Sequence, residues 1–153
     1  MKKLWLVIIL LGSTLSYIGC DSDPIYSGEC YVPEVAVNVT LNMSLPEYFL
    51  LQNTGEYRYV EGGNRGIFVV HNYDDVYYAI ERTCTYKSDN ECAKIFVDST
   101  TLQLKCGTEV DTGFVECCNS RFLFDSRVVN GPARCNLKTY RINLSGTTLY
   151  INN

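Results

Sequence analysis

Cysteine dominates the chemistry this chain could do. Eight cysteines occur in 153 residues, against a single histidine, His71. Cys84, Cys92, Cys106, Cys117, Cys118 and Cys135 crowd into the second half, while Cys20 and Cys30 stand apart near the start. A thiolate can hold a soft metal or join a disulfide, and spacing and compartment decide between them. A metal reading groups Cys84, Cys106, Cys117 and Cys118 around zinc or an all-cysteine cluster. Zinc knuckles favour C-x2-C pairs, and none occurs here. In an exported chain the default is a disulfide framework. Other chemistry finds little support. His71 sits beside a turn with no nucleophile-elbow motif for serine catalysis, and neither a phosphate loop nor a dinucleotide fingerprint is present. Asp74-Asp75 reads as a turn and Glu81-Arg82 as a solvated strand end.

The N-terminus supplies the compartment. Met1-Lys2-Lys3 is a positive n-region, and Leu4 to Leu15 is an apolar stretch too short to span a bilayer as a mature helix. Tyr17-Ile18-Gly19-Cys20 resembles the bacterial lipobox, departing from it at Tyr17. The expectation is a signal peptide over 1–19, lipidation at Cys20, and a tether over 20–33 broken by Pro24, Gly28 and Pro33. The mature chain is then a lipoprotein of the cell envelope, held at the outer membrane by its lipid, in a setting where disulfides persist. Seven cysteines remain after Cys20, so at least one is left free or pairs between chains, and Cys30 on the tether is the first suspect. The net charge of −4 argues against a nucleic-acid partner. The sequons at Asn38, Asn42 and Asn143 are chance matches in a bacterial lipoprotein.

The elements that must position the cysteines read as strands, in one domain over 34–153. From Val35 to Leu45 apolar residues alternate strictly with Ala36, Asn38, Thr40, Asn42 and Ser44, so one row faces a core and Val39 points inward. Pro46 ends that strand, and Glu47 to Tyr57 reads as a short helix or a loop. Ile67 to Val70 and Val76 to Ile80 flank a turn at Asn72 to Asp75, a hairpin pattern. Further strands are expected at Lys94 to Val97, Leu102 to Cys106, Arg121 to Phe124, Thr139 to Leu144 and Thr147 to Ile151. Gly107 to Gly113 reads as turn-rich. Many short strands with regular turn signals indicate an all-β sandwich or small barrel.

Two stretches carry a family resemblance. Cys84 to Cys92, CTYKSDNEC, and Cys117 onward, CCNSRFLFD, resemble the two cluster-binding loops of the Rieske iron–sulfur domain. Cys84-Thr85 matches the start of loop one. Ser120, Phe122 and Asp125 match the end of loop two, and Gly131-Pro132-Ala133 and Leu137-Lys138-Thr139-Tyr140 match the family's tail. The resemblance implies an all-β, Rieske-like antiparallel sandwich or barrel with a cysteine-rich loop tip. A Rieske cluster uses two cysteines and two histidines, and here the ligands depart from the pattern. Cys84 keeps the first cysteine position, Tyr86 stands at the first histidine, and Cys118 replaces the second. Val115 falls at the second cysteine position, or Cys106 does if an insertion precedes Cys117.

The resemblance therefore implies a degenerate domain that has lost its [2Fe-2S] cluster. Such a domain needs no cofactor or metal and acts as a non-enzymatic binding or structural module for an envelope protein or ligand. A working [2Fe-2S] electron carrier is the alternative. Family precedent pairs Cys92 with Cys117, which leaves Cys84 and Cys118 facing each other to form a second bond. The swapped pairing, Cys84–Cys117 with Cys92–Cys118, is its rival. Cys106 then pairs with Cys135 or stays reduced.

Overall fold

The computed structural model describes residues 30–153. The signal peptide, Cys20 and the tether up to residue 29 lie outside the described residues. The chain forms β1 (Asn38–Asn42), β2 (Tyr57–Val60), β3 (Ile67–His71), β4 (Tyr77–Glu81), β5 (Lys94–Asp98), β6 (Gln103–Val110), β7 (Gly113–Phe122), β8 (Val128–Asn130), β9 (Thr139–Ser145) and β10 (Thr148–Asn152). No α-helix occurs among the described residues; a 3₁₀ turn, Phe49–Gln52, takes the place of the short helix. Six strands order as β1-β10-β9-β4-β3-β2 and four as β5-β6-β7-β8, every pair antiparallel. The all-β architecture is the one expected.

The β3 strand explains why two sheets suffice. All five of its residues are buried. Phe68 and Val70 turn to one core with Ile80, Ile95, Leu104 and Phe122, between the two sheets. Ile67 and Val69 turn to a second core with Leu41, Leu149 and Ile151, against which β1 and β10 fold back. A strand covered on both faces needs an unbroken apolar run, which is how Ile67 to Val70 reads.

The strand around Val39 keeps its alternation. Ala36, Asn38, Thr40, Asn42 and Ser44 are exposed, Val37, Leu41 and Met43 are buried, and Val39 is half-buried against the second core. The hydrogen-bonded part is shorter than the pattern, because β10 offers only five partners, from Asn152 to Thr148. Ahead of it, the Asn153 side chain takes over as a substitute strand. Its Oδ1 accepts from the Val37 amide at 2.6 Å and its Nδ2 donates to the Val35 carbonyl at 2.9 Å.

Tyr57–Val60, to which the sequence assigns no element, is a strand, β2, held on the edge by β3. One expectation fails locally. Gly107 to Gly113 holds only a tight turn at Asp111-Thr112: β6 and β7 run up to it as one long hairpin, with Thr108 opposite Val115 and Val110 opposite Gly113. Gly107 is there for a close approach. A Cβ on it would lie 2.3 Å from the Val115 carbonyl oxygen and 2.4 Å from the Phe114 ring. The register shifts on either side of Cys106 mark a bulged stretch of β7, where Cys117, Asn119 and Ser120 have no partner in β6, and this re-aims the side chains around it.

Candidate functional site

The loop from Thr83 to Ala93, between β4 and β5, meets the bulged part of the β6–β7 hairpin at the end of the inter-sheet core. Cys117 and Cys118 lie inside β7, so the second cysteine pair sits on a strand and not on a loop. A disulfide joins Cys92 to Cys117, linking the two stretches in the pairing that the Rieske resemblance implies. Cys117 falls at the register shift between the Cys106–Cys118 and Gly107–Glu116 pairs, and both cysteines pack against the inter-sheet core. Cys118 lies with the sulfurs of Cys84 and Cys106.

These three thiols are free, and their sulfurs all lie within 4.8 Å of one another. Cys84 and Cys106 are 0 % exposed; Cys118, at the mouth, is partly exposed. Cys84 and Cys118 are 3.9 Å apart, in contact but unbonded, which corrects the expected Cys84–Cys118 disulfide. Bonded sulfurs lie about 2.05 Å apart. Cys106, directly opposite Cys118 in the β6–β7 register, explains the difference by sharing the space as a third thiol. It stays reduced because Cys135 is taken: Cys30 bonds Cys135. Cys30 is thus not the odd thiol, a second correction. Its amide also donates to the Thr85 carbonyl at 3.2 Å, and Thr85 Oγ1 donates to the Cys135 carbonyl at 2.8 Å. The end of the tether is sewn to the first loop.

Of the two candidate positions for the missing cysteine ligand, Val115 is the wrong one. It is 53 % exposed on the outer half of the hairpin, opposite Thr108. Cys106 is the residue brought to the site. Tyr86 packs partly buried against the same core. His71 lies at the other end of the β3–β4 hairpin, opposite Tyr77, stacked on that ring at 4.2 Å with Nε2 2.9 Å from Asp75 Oδ1.

The three thiols are not equivalent. A hydrogen bond with Cys106 lowers the Cys84 thiol from its ordinary value. The Tyr86 amide, the Cys118 thiol and the charge of Arg65 act in the same direction, against the cost of burial. Cys106 is pushed up by the same bond with Cys84 and by burial.

Ser120 and Glu81 hold this arrangement in place. Ser120, fully buried, contacts Cys118 Sγ at 3.2 Å and accepts from the Ala133 amide at 3.1 Å, so the Gly131-Pro132-Ala133 turn backs the strand that carries Cys118. Glu81 is 0 % exposed, not a solvated strand end, and Arg82 is buried beside it. The carboxylate accepts from the amides of Asn64, Arg65 and Thr83, from Thr83 Oγ1 and from the Tyr140 hydroxyl. Buried charge is tolerable when satisfied in this way. Arg65, fixed by that contact, donates to the carbonyls of Ser88, Asn90 and Glu91 and so clamps the first loop. Glu81 could have been found from the period of two in β4, which places it on the face of Tyr77 and Ala79, in the second core. Arg65 carried no such signal.

Beside the clamp runs an open cleft of about 380 Å³, lined by Tyr59, Gly63, Arg65, Arg82 and Lys94 among others. Its cations are engaged within the protein: Arg82 lies 3.6 Å over the Tyr59 ring and donates to the Ile95 carbonyl.

No family model matches the chain, and no curated protein matches it by sequence. Among solved structures it is similar to the plasma-membrane Rieske protein PetC3 of Synechocystis PCC 6803, with 22% identity, covering 62% of this chain and 84% of that one, at a TM-score of 0.48. It is also similar to the ferredoxin of carbazole 1,9a-dioxygenase from Nocardioides aromaticivorans IC177, with 16% identity, covering 77% and 97%, at a TM-score of 0.44. The chain resembles a Rieske domain in its motifs and in the bond between its two cysteine stretches. It does not resemble one in its donors. Two cysteines and two imidazoles are required; three thiols stand here, and the chain's one imidazole is at the far end of a hairpin. The residues do not fit that cluster.

Proposed function

We propose that the chain is an envelope lipoprotein, anchored at the outer membrane through Cys20, whose domain keeps a Rieske-like scaffold without its cluster. It serves as a non-catalytic binding or structural module for an envelope protein or a small ligand. The observation that carries this reading is the donor set: three thiols and no imidazole where a Rieske cluster would be gripped. The loops also have another means of closure, since Cys92–Cys117, Cys30–Cys135 and the Arg65 clamp tie them without iron. A second reading, an electron carrier with a [2Fe-2S] cluster, is favoured by the gathering of three free sulfurs at that place. Purification of the mature chain under nitrogen separates the two. The first reading expects a colourless protein without stoichiometric iron. Visible iron–sulfur absorbance with about two irons per chain, as a [2Fe-2S] centre requires, establishes the second.

A further inference from the structure

The three free thiols form a site of their own, whatever the scaffold once held. We propose that Cys84, Cys106 and Cys118 bind a single monovalent copper ion through their three sulfurs. The inference rests on the cluster-free reading, since iron in the same place would occupy the same ligands.

Geometry comes first. A d¹⁰ ion with metal–sulfur bonds of about 2.3 Å in a trigonal plane sets its sulfurs about 4.0 Å apart. Cys84 and Cys118 stand at 3.9 Å, and all three sulfurs fall within 4.8 Å. Small side-chain movements therefore close a three-coordinate site.

Donor number and softness then choose the ion. Thiolates select soft metals, monovalent copper among them. Zinc takes four ligands in structural sites. Among the described residues no histidine, cysteine, aspartate or glutamate joins the three as a fourth. Two or three thiolates satisfy monovalent copper, so the set is complete for copper, whereas zinc would need a fourth ligand such as water beside them.

The surroundings suit a protected ion. Cys84 and Cys106 are fully buried and Cys118 is partly open, so an ion enters past Cys118 and is then shielded. The neighbouring cysteines, Cys92, Cys117, Cys30 and Cys135, are locked in disulfides and cannot compete for it. An odd number of thiols also cannot be consumed by internal pairing alone.

The test uses the mature chain with its disulfides intact and monovalent copper held by the coloured chelator bicinchoninate, under nitrogen. Bleaching of the chelator should count one copper per chain, with near-ultraviolet thiolate-to-copper absorption appearing in step. Cys118→Ser, at the mouth, should weaken uptake at least tenfold with an unchanged far-ultraviolet circular dichroism spectrum. Cys106→Ser should do the same from within, and where that buried variant fails to fold, Cys118→Ser alone decides. No transfer from the chelator, uptake indifferent to Cys118→Ser, or retention of zinc against copper would each overturn the proposal. So would fewer than three free thiols in the native protein. Two irons per chain on purification would instead overturn the cluster-free reading, a result that iron analysis distinguishes from simple failure to take up copper.

Discussion

The Tyr140 hydroxyl donates to the Glu81 carboxylate across 2.6 Å, inside the protein. One residue comes from the tail motif and the other from the end of β4, and Glu81 also holds the amide of Arg65. Because Arg65 grips three carbonyls of the cysteine loop, a phenol in the tail helps to set the position of a loop some fifty residues earlier in the chain. The carboxylate also raises the Tyr140 hydroxyl above its ordinary value, after the larger effect of burial.

Tyr140→Phe tests that chain of contacts. It keeps the ring and removes one donor from a buried carboxylate, a loss of about 1–3 kcal/mol. The expected outcome is a lower urea midpoint together with faster proteolysis between Ser88 and Glu91. A variant as stable and as resistant as the parent would show that the other four donors to Glu81 suffice.

Gly131→Ala probes the support behind Cys118. Gly131 has φ +92°, and a Cβ there would meet the Asn119 carbonyl oxygen at 2.4 Å and the Ser120 Cα at 2.5 Å. Both contacts are backbone of β7 and cannot swing aside. A left-handed non-glycine residue costs about 1–3 kcal/mol, before the clash is counted. Thermal unfolding should reveal the loss, and alkylation of Cys118 should speed up as Ser120 is displaced.

The legibility of this fold follows burial. The alternation about Leu41 and the apolar run at Ile67 to Val70 could be read because one or both faces of those strands meet a core. The Gly107 to Gly113 stretch could not, because its strand pairing is a property of two strands lying together while glycine and aspartate signal turns locally. At the site, the resemblance implied Cys92–Cys117, whereas the fates of Cys30, Cys84 and Cys106 depended on distances that no spacing encodes. Glu81 was misread for a similar reason. A glutamate is read as solvated unless its partners are known, and four of its five donor groups lie in other segments or on the main chain.

The anchor is tested at Cys20. The n-region, the apolar stretch and Gly19-Cys20 together expect lipid on that sulfur. Cys20→Ser should abolish incorporation of labelled fatty acid and shift the protein from the membrane to the soluble fraction. Membrane association that survives the substitution would remove the lipoprotein reading while leaving the domain as described.

The disulfides make the sharpest demand on the structure. Non-reducing peptide maps should return Cys30–Cys135 and Cys92–Cys117, with Cys84, Cys106 and Cys118 alkylated as free thiols. Removing the second bond as Cys92→Ala with Cys117→Ala opens a constraint across 25 residues, worth about 3.5 kcal/mol from loop-closure entropy. Because that bond fixes the first loop against β7, its loss should also expose Cys84 to alkylating reagents that do not reach it in the parent. Stability falling without any gain in Cys84 reactivity would mean that the Arg65 clamp and Cys30–Cys135 hold the loop by themselves. The bond would then stabilise the fold without guarding the three thiols.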